Sequence, residues 1–481
     1  MRITVGFDLD LTLIDPRPAV VAVASRLGVE EGVEVNAHLW ASRLGPPLET
    51  ELAHWVAPER VLPAAERYRE LMASLGKPLI TLLPGAAEAV AAVRAAGGQA
   101  IVVTAKSEPL ARLALSDLGL EVDAVVGWLW AEAKAEALVE HGATVFVGDH
   151  PGDVRAARAA SALCVGVGTG GVPPVGADVL LDDLTGFPAW FAGHLLDARL
   201  AALQDRLSAL PGLLVAFSGG ADSAFLLAAA VRALGPDRVV AATAVSPSLA
   251  VDELPAAAGF AASLGVRHLM PATDELSRPG YVANGSDRCF HCKATLLDTL
   301  APLAQSLGFS VATGTNADDA VAGFRPGIAA AAERGAVTPL LDTGLTKAQV
   351  REASRRWGLA TADKPALACL ASRIAYGLSV TPAGLARVDR AERALRAVLG
   401  PVGDLRVRDL GAGVARVELD AAALGRCDET ALAVVRAEGF STVTAQEFRS
   451  GSMNAAQRPS LGDQRGTSDD FLPAEAAEAR R

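Results

Sequence analysis

The sequence predicts an α/β protein with two successive parallel-sheet domains and a small C-terminal α+β region. Strand-like runs alternate with amphipathic Ala/Leu helices almost throughout the chain, which is typical of parallel sheets. A short apolar strand runs directly into a loop of small and polar residues in "ITVGFDLDLT" and again in "LLVAFSGGADS". Because functional loops follow the carboxyl ends of parallel strands, each segment indicates the first strand of its own Rossmann-like sheet.

Length and composition agree with this organisation. The chain has 481 residues, 51% hydrophobic and 5% aromatic, which is more than one core usually covers. It lacks both a run of about 18 apolar residues and the basic-then-apolar start of a secretory signal, so no membrane association is expected. Five cysteines indicate reduced thiols and a cytoplasmic protein. The net charge of −11 disfavours nucleic acid as the main partner.

Composition shifts along the chain predict the domain boundaries. A first domain is expected over 1–192 and a helical connector, "LLDARLAALQDRL", over 193–204. A second domain follows over 205–370, and the C-terminal region over 371–454. The remaining segment, 455–481, is polar and has no hydrophobic face, so we expect it to be disordered.

The segment "FDLDLT" places Asp8 and Asp10 at the end of the first strand. Side chains two residues apart in a strand point the same way, so both carboxylates can converge on one substrate. A phosphatase needs one carboxylate as nucleophile and a second as general acid/base. It also needs cations to offset the phosphoryl charge and carboxylates to hold Mg²⁺.

Suitable partners follow in order downstream. Thr104 ends the strand "IVVT", Lys134 lies on the helix "AEAKAEALVEHG", and Asp149 and Asp153 follow the strand "TVFVG". Taken singly, each acidic strand end is also typical of a turn or helix cap. Their order at successive strand ends favours one common phosphate site.

Residues 1–192 resemble the haloacid-dehalogenase-like (HAD-like) hydrolases, especially the phosphoglycolate-phosphatase-like branch. The resemblance implies that Asp8 is the nucleophile and Asp10 the acid/base, and that Thr104 and Lys134 bind the phosphoryl group. The residues implied for Mg²⁺ are Asp8, the Asp10 carbonyl, Asp149 and, in support, Asp153.

The resemblance also implies an α-helical cap over about 15–80 that closes on the substrate. We expect Trp40 and Trp55 in the core of this cap. The chain departs from the family pattern at Leu11, where glycine is frequent, and after Lys134, where a proline usually follows. Neither departure removes a catalytic group. The alternative for this domain is a non-catalytic binding or assembly module.

"LLVAFSGGADSAFLLAAAVRAL" predicts a strand, a loop and a helix that bind an anion. Gly219 and Gly220 let the backbone approach a ligand, and Ser218, Ser223 and the N–H groups of the helix start form an anion cradle in a loop that also carries Asp222, a further candidate for ATP binding. An ordinary glycine-serine turn is the alternative. The loop resembles the signature of the PP-loop ATP pyrophosphatases, which bind the β,γ-phosphates of ATP and release AMP and pyrophosphate.

Two later segments supply further candidates for ATP binding. Asn316 follows the strand in "VATGTNADD", where it is fit for Mg²⁺ or ribose contacts. Lys347 and Arg351 in "LTKAQVREAS" share one helical face at i, i+4. We expect this pair to face phosphate, and a solvated helix surface is the alternative.

The spacing of Cys289 and Cys292 in "SDRCFHCKA" leaves several interpretations open. A structural zinc site requires a fourth ligand, and His291 lies between the two cysteines, where closing a tetrahedron is strained. A redox pair of the thioredoxin kind needs no third cysteine, yet Cys369 is present in "KPALACLASR".

These motifs, together with "GTNADD", "RPG", "TPLLDTGLTKAQVR", "LRVRDLG" and "FRSGSMN", closely resemble the LarE family over about 205–454. The family consists of ATP-dependent sulfur transferases that build the nickel-pincer nucleotide cofactor. The resemblance implies that ATP adenylates a carboxylate of a pyridinium dicarboxylate mononucleotide and that sulfur then replaces oxygen. It also implies small-molecule nucleotide substrates and a homo-oligomer.

The resemblance offers two sources of sulfur. Cys289, Cys292 and Cys369 either hold a [4Fe–4S] cluster with one iron free for hydrosulfide, or Cys369 gives up its own sulfur and becomes dehydroalanine. Arg406, Arg408 and Arg416 match positions that bind the nucleotide phosphate, with an exposed strand face as the alternative. A tRNA thiolase remains the rival enzyme, because it shares the loop chemistry.

Overall fold

A computed structural model describes residues 3–170, 174–321, 326–365 and 369–449. The predicted disordered tail lies outside the described residues, as does most of "RSGSMN". The chain forms two compact units divided after Ala198, within the helix Phe187–Ser208. No helix of the described ranges combines the length and apolar character needed to cross a membrane.

The strands of the first unit are β1 Thr4–Phe7, β2 Ile14–Asp15, β3 Thr81–Leu82, β4 Gln99–Val103, β5 Ala124–Val126, β6 Ala143–Gly148, β7 Leu163–Val167 and β8 Val179–Leu181. Six of them form one parallel sheet in the order β5-β4-β1-β6-β7-β8. Phe7 is in register with Val102 and Val147 on its two sides, and all three side chains are fully buried. Apolar runs buried on both faces are what a parallel sheet requires.

The helices of the first unit are α1 Arg17–Glu31, α2 Ala37–Ala41, α3 Leu48–Leu52, α4 Val61–Leu71, α5 Ala86–Ala95, α6 Glu108–Asp117, α7 Lys134–Glu140, α8 Pro151–Ala159 and α9 Phe187–Ser208. Helices α1 to α4 lie between β2 and β3, which pair antiparallel with each other. Trp40 is buried and stacks on Trp55 and Tyr68 at ring-centroid distances of 6.4 and 5.4 Å. The two tryptophans therefore pack within this helical insertion, as their positions predict.

In the second unit the strands are β9 Leu213–Ala216, β10 Val239–Ala242, β11 Arg267–Leu269, β12 Ser310–Thr313, β13 Leu405–Asp409, β14 Val414–Leu419 and β15 Thr442–Glu447. The first four form a parallel sheet in the order β11-β10-β9-β12. The last three form a mixed sheet, in which β14 pairs antiparallel with β13 and parallel with β15. The two parallel sheets and the mixed sheet confirm the predicted fold class.

The helices of the second unit are α10 Ala221–Leu234, α11 Glu253–Ser263, α12 Pro279–Val282, α13 Arg288–Leu307, α14 Ala317–Val321, α15 Pro326–Glu333, α16 Pro339–Asp342, α17 Lys347–Arg356, α18 Pro382–Leu399, α19 Ala421–Leu424 and α20 Glu429–Ala437. Helix α10 follows β9 after a four-residue loop, as the sequence pattern predicts. Ten of its fourteen residues are buried, because the helix "ADSAFLLAAAVRAL" is apolar almost all round.

Candidate active sites

The acidic residues of the first unit converge where three neighbouring strands end. Asp8 follows β1, Thr104 follows β4 and Asp149 follows β6, and these strands are adjacent in the sheet. Carboxylate oxygens of Asp8, Asp149 and Asp153 all lie within 4.8 Å of one another. The sheet therefore brings together the carboxylates that the sequence predicts for a metal.

Lys134 joins two of these carboxylates. Its Nζ donates to Asp8 Oδ1 at 2.6 Å and to Asp153 Oδ1 at 2.7 Å, and its side chain is almost fully buried. Burial lowers the pKa of Lys134, but the charges of Asp8 and Asp153 outweigh burial and leave the pKa raised. Lys134 is therefore a fixed cation inside the acidic cluster.

One lysine does not balance three carboxylates, two of them buried and the third half-buried. Burial raises the pKa of Asp8 to about 7, against the opposing charge of Lys134. Burial, followed by the charges of Asp8 and Asp153, raises the pKa of Asp149 to about 8. A divalent cation would supply the missing positive charge, and carboxylate oxygens are the ligands that Mg²⁺ prefers. The cluster fits Mg²⁺.

The carboxylate of Asp10 pairs with a second lysine, Lys106, which the sequence did not predict. The Nζ of Lys106 lies 2.8 Å from both carboxylate oxygens of Asp10. The backbone N–H of Lys106 donates to Thr104 Oγ1 at 3.2 Å. Lys106 follows Thr104 by two residues, but only the fold reveals a contact that spans 96 residues.

Leu11 has a left-handed backbone with a φ of 62°. This conformation costs a non-glycine residue about 1–2 kcal/mol, which gives a physical reason for glycine at this position in related sequences. The Leu11 carbonyl accepts a hydrogen bond from Thr169 Oγ1. Leu11, which departs from the family pattern, therefore lies in the turn between the aspartates Asp8 and Asp10 and the cap.

In the second unit, the loop after β9 folds back on the start of α10. Gly219 has a φ of 73°, Ser223 Oγ donates to the Gly220 carbonyl at 3.1 Å, and Ser218 Oγ lies 3.2 Å from Ser223 Oγ. The Gly220 N–H points to Ser218 Oγ at 3.4 Å. The serines and loop amides are thus gathered in one turn, as an anion cradle requires.

Buried polar atoms without partners mark the neighbourhood of this loop. Asp222 Oδ1 and Asn316 Nδ2 are buried and make no well-formed hydrogen bond within the described residues, although the two side chains lie near each other. Burial raises the pKa of Asp222, and the charge of Lys347 opposes that shift. A bound nucleotide with its Mg²⁺ would satisfy such atoms, since natural proteins rarely leave buried polar groups unpaired.

Two other basic residues near the loop have clear partners. Lys364 Nζ donates to the Gly219 carbonyl at 3.0 Å and to Glu253 Oε2 at 2.9 Å, a contact that sequence reasoning missed. Arg351 donates to the carbonyls of Ala362 and Lys364, both at 2.8 Å. Arg351 therefore anchors the segment that carries Lys364.

The three predicted cysteines lie on two elements. Cys289 and Cys292 are in the first turns of α13, and Cys369 lies on a loop before the short 3₁₀ helix 370–373. Burial raises the pKa of Cys292 to about 12, and the charges of Cys369 and Cys289 act on it in the same direction. The three thiols are thus close enough to interact, and Cys289 and Cys369 are exposed.

Hydrogen bonds hold the Cys369 loop against the start of α13. Arg288 donates to the Ala371 carbonyl at 2.9 Å and also to Asn284 Oδ1, and Asn284 Nδ2 donates to Ala375 at 2.8 Å. The Leu370 N–H donates to the Ser248 carbonyl at 2.9 Å. These long-range bonds bring Cys369 towards the CxxC pair, although 77 residues separate it from Cys292.

The cysteine geometry bears on what the thiols can bind. Among the described residues, only the acidic cluster of the first unit gathers three His, Cys, Asp or Glu ligand atoms within 4.8 Å. A zinc site needs its sulfur ligands about 2.3 Å from one ion, which is tighter than this arrangement. His291 bonds to Asp287 at 3.1 Å.

Two of the three arginines predicted to bind the nucleotide phosphate are buried, and Arg416 is half-buried. Arg406 and Arg408 are 3% and 7% exposed, which rules out an exposed strand face for them. Arg408 lies opposite Arg416 in the register, and both bind the buried carboxylate of Glu418, at 3.0 and 3.1 Å. Burial, and then the charge of Arg373, lowers the pKa of Arg406 to about 10. The strand pair therefore gathers several arginines around the buried carboxylate of Glu418.

Comparisons with known proteins agree with both halves of this geometry. Residues 5–158 match the haloacid dehalogenase-like hydrolase family. Over 264 residues, the chain is 30% identical to the pyridinium-3,5-bisthiocarboxylic acid mononucleotide synthase of Lactiplantibacillus plantarum, covering 54% of this chain and 95% of the relative. The chain belongs to the LarE family. Its N-terminal part is a HAD-like hydrolase domain, so the fusion predicted from the motifs is confirmed.

Two further relatives accompany these matches. An uncharacterised protein of Synechocystis sp. is 43% identical over 226 residues, covering 47% of this chain and 82% of the relative. A haloacid dehalogenase-like hydrolase from Streptococcus pneumoniae has 20% identity and a TM-score of 0.36, covering 40% of this chain and 98% of its own.

Proposed function

We propose that the second unit of this LarE-family chain inserts sulfur into a carboxylate of a pyridinium dicarboxylate mononucleotide at the expense of ATP. The identity to the pyridinium-3,5-bisthiocarboxylic acid mononucleotide synthase carries this proposal. The loop 218–223, the three cysteines and the buried arginines of the C-terminal sheet supply sites for ATP, sulfur and the nucleotide phosphate within one unit.

In the first half-reaction, the substrate carboxylate attacks the α-phosphorus of ATP and pyrophosphate leaves, which gives an acyl adenylate. Ser218, Ser223 and the loop amides hold the departing phosphates, and Asp222 and Asn316 are available to bind the metal of the nucleotide. Lys347 offsets phosphate charge from the start of α17. Adenylation is needed because a carboxylate is a poor electrophile and carries no adequate leaving group.

In the second half-reaction, a sulfur nucleophile attacks the carbonyl carbon and AMP leaves, which gives a thiocarboxylate. A [4Fe–4S] cluster held by Cys289, Cys292 and Cys369 would supply an iron without a protein ligand, able to carry hydrosulfide. The protein's part is to hold the three thiols through Arg288 and Ser248. Loss of sulfur from Cys369 itself is the alternative source.

We propose that the first unit hydrolyses phosphate monoesters. Asp8 attacks phosphorus and forms an aspartyl-phosphate, and Asp10 protonates the leaving oxygen and then activates water to release phosphate. Lys106 orients Asp10, and Thr104 and Lys134 bind the phosphoryl oxygens. Mg²⁺ held by Asp8 and Asp149, with Asp153 in support, would offset the charge of the phosphoryl group. The carboxylate cluster around Lys134 supports this proposal.

One experiment separates the two activities. The full chain is given ATP, Mg²⁺ and pyridinium-3,5-dicarboxylic acid mononucleotide without oxygen, and pyrophosphate and thiocarboxylate are measured. Ser223→Ala lowers pyrophosphate release and leaves phosphatase activity intact, whereas Asp8→Asn has the reverse effect. Formation of no thiocarboxylate, combined with tight and salt-sensitive tRNA binding, would replace the first proposal with a tRNA thiolase. Unchanged phosphatase activity in Asp8→Asn would make the first unit a binding module.

A further inference from the structure

A strained tryptophan lies at the mouth of the first unit's active site. Trp128 has a φ of 65° and is 56% exposed, although it is the largest apolar side chain type. Left-handed backbone costs a bulky residue about 1–2 kcal/mol, and such strain is retained mainly where function requires it. Neither burial nor backbone preference explains a tryptophan at this position.

The loop 127–130 is fastened to the loop that binds the phosphoryl group. The N–H groups of Trp128 and Leu129 donate to the carbonyls of Lys106 and Thr104, both at 3.0 Å. A Cβ on Gly127 would lie 2.4 Å from the backbone nitrogen of Glu108, so the chain passes too close for any side chain there. The backbone of Trp128 is therefore fixed to the loop that carries Thr104 and Lys106.

The cap covers one face of this indole. The Arg69 guanidinium of α4 lies 4.7 Å from the ring centroid of Trp128, and Glu49 of the cap pairs with Arg69. On the core side, Trp130 packs on His150 at 4.9 Å, and both line the same cleft. Flat groups of the cap and the core, including the Trp128 and Trp130 indoles, thus line this cleft together.

The size and charge of the cleft restrict its ligand further. The cleft encloses about 250 Å³, below the usual range of roughly 300–1,000 Å³ for small-molecule sites, so a dinucleotide or a phosphopeptide is too large. The cap arginines that line it, Arg43 and Arg69, already pair with Glu51 at 3.8 Å and with Glu49. The charges of both arginines are therefore already compensated, and the cleft does not require a second anionic group on the substrate.

We propose that the first unit prefers small phosphate monoesters whose leaving group carries an aromatic ring, and that Trp128 is the residue that selects the ring. The ring stacks on the indole while the phosphoryl group lies on Asp8. This inference rests on the proposed phosphatase activity, and it names the substrate class of that site.

The test compares benzyl phosphate with cyclohexylmethyl phosphate and ethyl phosphate, using the full chain with Mg²⁺ and measuring released phosphate. The first two esters have rings of similar size, so the comparison isolates aromaticity. We expect kcat/KM to be about 10-fold higher for benzyl phosphate than for cyclohexylmethyl phosphate, the order expected for a stacked aromatic pair. Trp128→Leu removes this preference, so that the two ring esters react at equal kcat/KM, whereas Trp128→Phe keeps it. Trp190→Leu, at a tryptophan outside the residues that line the cleft, is the matched control.

Equal kcat/KM for the two ring esters, or an equal loss for all three esters in Trp128→Leu, overturns the inference. Calorimetry with benzylphosphonate and cyclohexylmethylphosphonate measures binding alone, so it separates failure of the ring preference from failure of the proposed phosphatase activity. If no ester is hydrolysed but benzylphosphonate still binds more tightly than cyclohexylmethylphosphonate, the phosphatase proposal is wrong and the ring site is supported. Absence of both hydrolysis and preference overturns both.

Discussion

Without metal, the first unit should lose stability as the pH rises from 5 to 7. Burial raises the pKa of Asp8 to about 7 and that of Asp149 to about 8, whereas both ionise near 3.8 in the unfolded chain. Between these values the folded state binds more protons than the unfolded state, so the free energy of unfolding falls with pH. The stability from these groups is complete below about pH 4 and is lost by about pH 8.

The size of the effect follows from the proton count. One carboxyl that stays protonated in the fold and ionises on unfolding costs about 1.4 kcal/mol per pH unit. Because Asp8, Asp149 and Asp153 form a coupled cluster, we count one proton for the group. Raising the pH from 5 to 7 then removes about 3 kcal/mol. Mg²⁺ at 100 times its Kd restores about 2.7 kcal/mol at pH 7 and flattens the pH dependence.

Tryptophan fluorescence during urea unfolding is a suitable assay, since five of the six tryptophans lie before Ala198. The signal therefore reports mainly on the first unit. Asp8→Asn should remove much of the pH dependence and weaken the response to Mg²⁺, whereas Asp117→Asn on the surface should behave as the unaltered chain does. A metal-free stability that is flat or that rises between pH 5 and 7 would refute the reasoning.

Three other changes test the remaining contacts. Lys134→Met should destabilise the first unit by about 3–5 kcal/mol in urea unfolding, because it leaves two buried carboxylates without their cation; a loss below 1 kcal/mol would contradict the buried ion pair. Lys364→Ala should raise the KM for ATP in pyrophosphate release with little change in the KM for the mononucleotide, since Nζ contacts the Gly219 carbonyl. Arg288→Lys should speed alkylation of Cys369, followed by mass spectrometry, because fewer hydrogen bonds then hold its loop; an unchanged rate would contradict that anchoring role.

The sequence was sufficient for the residues that follow strands. Asp8, Thr104 and Asp149 could be predicted to meet because the carboxyl ends of adjacent parallel strands share one sheet edge. The same logic located the loop around Ser218, whereas the three cysteines were predicted from their motifs and the family resemblance. These predictions needed only local patterns and their order along the chain.

Contacts between distant loops could not be read in this way. Lys106 and Lys364 are single lysines in otherwise ordinary segments, and their partners lie 96 and 145 residues away. Burial of Arg406 was equally hidden, because alternation in a strand fixes a face and does not say what covers it. The strain at Trp128 depends on backbone bonds to a neighbouring loop, for which no sequence rule exists.

Anaerobic analysis of the full chain tests the central claim most directly. Iron and acid-labile sulfide are measured before turnover with ATP and the dicarboxylated mononucleotide, and the mass of the Cys369 peptide is measured afterwards. We predict about four irons per chain, thiocarboxylate product and an intact Cys369. An iron-free protein whose Cys369 loses the mass of hydrogen sulfide would contradict the cluster as sulfur source, and an iron-free protein that forms no thiocarboxylate would contradict sulfur insertion itself.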